Sequence, residues 1–67
     1  MKFAINLKEF REEKELSQKQ LSEKVGISQS SIARWELLKS EPTASDLITL
    51  ANFFNVTVGQ LVGTEDY

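Results

Sequence analysis

The chain has 67 residues, of which 40% are hydrophobic and 27% charged, with no cysteine and no histidine. That length predicts one domain, and the missing residue types remove disulfides, thiolate and imidazole metal sites, and the commonest nucleophiles and general bases, so neither an enzyme nor a metal or other cofactor is expected. The formal net charge is −2 with a pI near 5.0, which argues against a uniformly basic nucleic-acid binder, and no apolar run suffices for a membrane span or secretory signal, which predicts a cytoplasmic protein with no membrane partner.

Five sites repeat the signature of a helix start. The first is Ile5, Asn6, Glu9 and Phe10, the second Leu16, Ser17, Gln20 and Leu21. In each a capping oxygen accepts an orphan amide hydrogen, the acid or amide three residues on reaches back, and the two apolar residues staple the entry. The third site, Ile27, Ser28 and Ile32, keeps cap and staple but has Ser31 where the box wants Glu or Gln. Thr43 with Asp46 and Leu47 follows Pro42, and Val56, Thr57, Gln60 and Leu61 complete the set.

Between the starts the apolar spacing is helical, clearest in Leu47, Leu50, Ala51 and Phe54 at i, i+3, i+4 and i+7. The expected helices span 6–14, 17–25, 28–37, 43–54 and 57–63. Gly26 and Asn55 stand where left-handed residues end helices. Isolated helices below about 12 to 15 residues are marginal in water, so these must share a core. The expected core is Leu7, Phe10, Leu16, Leu21, Val25, Ile32, Trp35, Leu47, Leu50, Phe54, Val56 and Leu61.

The second and third starts are separated by so short a stretch that the chain must reverse sharply at Gly26, the arrangement in which the second helix of a pair enters the DNA major groove. Its outward face, Gln29, Ser30, Ala33, Arg34 and Leu37, carries no acid. Charge is also uneven along the chain. Residues 17–40 hold Lys19, Lys24, Arg34 and Lys39 against Glu23 and Glu36, whereas 41–67 hold only the acids Glu41, Asp46, Glu65 and Asp66. The glutamate-rich segment 9–15 reads as a solvated helix face, since no nucleophile, metal set or phosphate-binding glycine loop accompanies it. Trp35 falls on the stripe of Ile32 and reads as core.

The run S-Q-x-x-L-S-x-x-V-G-I-S-x-x-x-I-x-x-W-E from Ser17 to Glu36, joined to P-T-x-x-x-L-x-x-L-A from Pro42 to Ala51, resembles the Cro and phage-repressor (Xre-type) helix-turn-helix domains over residues 7–62. The resemblance implies an all-α, five-helix DNA-binding domain, acting as a repressor or other transcriptional regulator, as a symmetric dimer on a palindromic operator. It places Gln29, Ser30 and Arg34 at base-reading positions with Ser28 and Ser31 beside them, Ser17, Gln18 and Lys39 at phosphate contacts, and Arg11 with Glu36 in a buried ion pair. Glu15, Leu38 and Ser40 depart from its pattern: glycine is usual at the first two and a basic residue is frequent at the third. Leu38 then either lies in a helix prolonged by a turn or is left-handed.

One recognition helix touches too few base pairs to select a site, so a weak homodimer is expected, with Val58, Leu61 and Val62 at its interface. The alternative is a protein-interaction module on the same scaffold, an antitoxin or a repressor's partner, with weak DNA binding. The acidic pI, the Leu37–Leu38 pair and the missing base at Ser40 support it.

Overall fold

Capping hydrogen bonds set most of the helix boundaries in the computed structural model, which describes residues 1–66. The helices are α1 (Phe3–Glu13), α2 (Gln18–Val25), α3 (Gln29–Glu36), α4 (Ala44–Phe54) and α5 (Val58–Val62). All regular structure among the described residues is helical. Ser17 Oγ accepts from the Gln20 amide at 3.0 Å while Gln20 Oε1 accepts from the Ser17 amide at 2.8 Å. Thr43 with Asp46 and Thr57 with Gln60 form the same reciprocal boxes. Each box satisfies amides that the first helical turn leaves without partners.

The first helix departs from expectation. It begins at Phe3, and Asn6 lies inside it and does not cap its start. Phe3 is 3% exposed and meets Trp35 edge to face, with ring centroids 5.8 Å apart. Burying a ring of that size outweighs a cap worth about 1 kcal/mol, so the helix extends back to include it. The Lys2 amide donates to Val62 O at 2.9 Å in place of a side-chain cap. Asn6 is used elsewhere: its Nδ2 donates to Leu61 O at 3.1 Å and Gln60 O at 3.3 Å, satisfying carbonyls at the end of α5.

The core forms where α1 packs on α3 and α5, α2 on α3 and α4, and α4 on α5. Leu7, Leu21, Ile32, Leu50 and Leu61 are fully buried at its centre, with Phe3, Trp35, Ala51, Phe54 and Val62 around them. Phe10, Leu16, Val25, Leu47 and Val56 are half-buried against this cluster rather than inside it. Gly26 has φ +72° at the α2 C-terminus, which lets the chain reverse into α3 without a Cβ penalty. Leu38 resolves its alternative in favour of the left-handed form: α3 stops at Glu36, Leu38 has φ +61°, and the Lys39 amide returns to Arg34 O at 2.8 Å. A leucine held there costs about 1 kcal/mol or more, and Glu15, at φ +56°, carries similar strain after α1. No helix among the described residues is long and apolar enough to cross a membrane.

Replacing Asn6 with alanine should lower stability by about 1 kcal/mol, seen as a fall of about 4 to 8 °C in melting temperature. Glu9→Ala, at the other end of the expected capping pair, should stay within about 0.5 kcal/mol of the unsubstituted chain. Equal losses in the two variants would contradict the assignment of Asn6 to α5.

Candidate nucleic-acid interface

Helix α3 is held from behind by one ion pair. Arg11, near the end of α1, donates through Nε to Glu36 Oε2 and through Nη2 to Glu36 Oε1, both at 2.9 Å, and through Nη1 to Leu16 O at 2.8 Å. The side chains are 11% and 6% exposed. The planar guanidinium matches the carboxylate with two parallel bonds, and its third bond fixes the turn that leads into α2. The same Glu36 Oε1 accepts from Gln18 Nε2 at 3.1 Å. One carboxylate at the end of α3 thus joins the end of α1 to the start of α2. The Glu36 hydrogen bonds raise the Arg11 pKa above its ordinary value against the opposing effect of burial.

The N-terminal turn of α3 is a network of hydroxyls. Ser28 Oγ accepts from the Ser31 amide at 3.2 Å and donates to Ser31 Oγ at 2.8 Å. A hydroxyl has one hydrogen, so the 3.3 Å contact between Ser28 and Ser30 has Ser30 as donor. Ser31, which broke the capping-box pattern, is thereby explained: its hydroxyl also accepts from Arg34 Nη2 at 3.3 Å, bringing the guanidinium back along the helix face. Gln29, Ser30 and Arg34 are exposed and Ser31 is half-buried. The outward face is uncharged and hydrogen-bonding at its start and cationic at its middle.

Ser17 is exposed at the α2 N-cap, while Gln18 beside it is half-buried against Glu36. The Glu36 bond occupies one Gln18 N–H and leaves the second N–H and the carbonyl for another group. The expected base readers are grouped on the start and middle of α3, with Gln18 bonded to Glu36 at its far end. Lys39 is exposed in the turn beyond α3, beside a surface groove lined in part by Trp35 and Glu41.

The residues expected at a dimer interface pack within the chain itself. Leu61 is fully buried and Val62 is 9% exposed in the chain's own core, while Val58 is half-buried against it. Beginning at Phe3 rather than Asn6, α1 packs against α5, where Leu61, also expected in the core, and Val62 are buried. The Gln18–Glu36 bond and the role of Asn6 went unseen because they join residues far apart in sequence, which no helical period registers. Leu38 did leave a signal, as a large residue at a position favouring glycine. Among the described residues no group of three His, Cys, Asp or Glu side chains is placed to hold a metal ion.

The sequence profile of the helix-turn-helix family matches residues 7–61. The chain is 35% identical over 66 residues to the HTH-type transcriptional activator BcrR of Enterococcus faecalis, covering 98% of this chain and 32% of that protein. It is 33% identical over 63 residues to the HTH-type transcriptional regulator YqaE of Bacillus subtilis, covering 94% of this chain and 54% of that one. The regulator YobD of Bacillus subtilis is 33% identical over 64 residues, covering 96% and 57%. The chain thus spans between about a third and somewhat over half of the length of these relatives. No solved structure matches it significantly.

Glu36→Gln should cost about 3 kcal/mol, because it leaves the Arg11 charge nearly buried and uncompensated. Urea denaturation measures this, and an unchanged midpoint would show that the pair holds nothing together. On the arginine side the contribution is fully present below the ordinary arginine pKa and is lost only as pH rises through the raised one, so the Arg11 charge persists through neutral and mildly alkaline pH.

Proposed function

The chain belongs to the helix-turn-helix family, and from that premise we propose that it is a sequence-specific binder of double-stranded DNA that regulates transcription, a repressor by the resemblance of its motif. The observation that carries the proposal is the outward face of α3: exposed Gln29, Ser30 and Arg34, without an acid, on a helix that Arg11 and Glu36 fix against α1 and α2. Gln29 and Arg34 have the hydrogen-bonding groups that pair bidentately with adenine and guanine edges in the major groove. The weak Arg34 bond to Ser31 is exchanged for a base on binding. Ser17, Gln18 and Lys39 contact phosphates on either side, Gln18 with the α2 N-terminus behind it.

The operator in this reading is palindromic, because a second copy about 34 Å away doubles the bases read. The protein acts in the cytoplasm, where the chromosome is reached directly, and its function is binding rather than catalysis. The negative net charge lowers non-specific affinity for duplex DNA, since phosphate contacts supply most of that term. Discrimination then rests on the base contacts.

Base readers and phosphate contacts should separate in binding measurements. Lys39→Ala should weaken binding to all duplexes alike and lower the salt slope by about 1. Arg34→Ala should relax preference at one base pair in each half-site by about 1 to 3 kcal/mol. Equal loss by Arg34→Ala on preferred and random duplexes would refute its role as a base reader, and no duplex binding at low salt would refute the whole reading in favour of a protein-interaction module.

A further inference from the structure

Helix α3 buries Ile32 and Trp35 and turns Gln29, Ser30, Ala33, Arg34 and Leu37 outward. Gln29, Ser30 and Arg34 carry hydrogen-bonding side chains, whereas Ala33 and Leu37 carry none. Ala33 is half-buried and lies near the centre of this face, one turn beyond Gln29 and Ser30 and one turn before Leu37. Its side chain is the shortest there, so the longer ones around it leave a hollow whose floor is the Ala33 methyl group. Leu37, at the α3 C-cap, is 64% exposed. A long side chain on a helix leans toward the N-terminus, over the turn before it, which makes Leu37 the apolar wall of that hollow.

We propose that Ala33 and Leu37 form a seat for the C5 methyl group of one thymine in each half-site. The inference rests on the DNA-binding reading and deepens it, naming a base that the hydrogen-bonding side chains of α3 do not account for. Among the groups that base pairs present in the major groove, the thymine methyl is the apolar one; the others donate or accept hydrogen bonds. Pressed against a hydrogen-bonding edge, Ala33 and Leu37 would displace water and return no bond, which costs affinity. Against a methyl group they lose nothing and bury apolar surface. The hollow therefore selects thymine over cytosine, which has no methyl at C5 and presents a donor amine beside it. Arg34 follows Ala33 in the chain and reads a guanine, so the thymine lies next to that base pair.

Removal of the methyl group alone tests the seat. In the preferred duplex obtained by selection from a random pool, each thymine is replaced in turn by deoxyuridine, which keeps every hydrogen-bonding group, and affinity is measured by titration. One thymine in each half-site should respond, next to the base pair whose preference Arg34→Ala relaxes. The loss should be about fourfold for one half-site and about fifteenfold for both, the equivalent of one buried methyl from each. Ala33→Gly and Leu37→Ala chains should bind the thymine duplex more weakly and respond to deoxyuridine by less than about twofold. Leu37 is exposed, so Leu37→Ala should keep its parent's melting temperature and stays informative even where glycine loosens α3. A preferred duplex indifferent to deoxyuridine at every position, or one to which both variants respond as strongly as their parent, overturns the seat and leaves the DNA-binding reading standing. Selection that yields no preferred duplex overturns both.

Discussion

The bidentate bond between Arg11 and Glu36 is the constraint on which the arrangement of the first three helices depends. Apolar contacts between short helices are nondirectional and leave freedom to slide and rotate. A guanidinium facing a carboxylate with two bonds of 2.9 Å permits one register. The third Arg11 bond, to Leu16 O, extends that register into the turn before α2, and the Gln18 bond closes the set. A buried ion pair is weak evidence for net stability, because desolvation offsets much of the attraction. Its contribution here is to orientation: α3 presents a defined face while the rest of the core stays apolar.

That orientation bears on how an acidic chain would meet a duplex in the proposed reading. The acids of α1 and of the C-terminal segment lie outside α3, and the only acid within α3, Glu36, is turned inward and neutralised by Arg11. The outward face is thus free of negative charge where the proposal needs it to be. Beyond about a Debye length, roughly 8 Å at physiological ionic strength, exposed charges elsewhere are largely screened.

The parts of the fold legible in the sequence are those governed by local chemistry. Ser17 with Gln20, Thr43 with Asp46, Thr57 with Gln60, and Ser28 mark four helix starts because a cap involves residues within one turn. Gly26 and Asn55 mark two ends through the left-handed conformation they adopt at little cost. The start of α1 was not legible, although Asn6 and Glu9 match a capping box as well as any other pair, because the competing term is the burial of Phe3 against Trp35, remote in sequence. Leu38 was legible as an anomaly and not as a geometry, since sequence alone does not separate a longer helix from a strained turn. Of the candidate site, residue types and helix face were readable, while the serine network at Ser28 and the hold of Glu36 on Gln18 needed coordinates.

Selection of bound duplexes from a random pool tests sequence-specific reading by α3 most directly. Enrichment should converge on an inverted repeat whose half-site centres lie about one helical turn, or 34 Å, apart, with base preference confined to a few pairs in each half. A pool that binds at low salt yet shows no base preference after repeated rounds would contradict it.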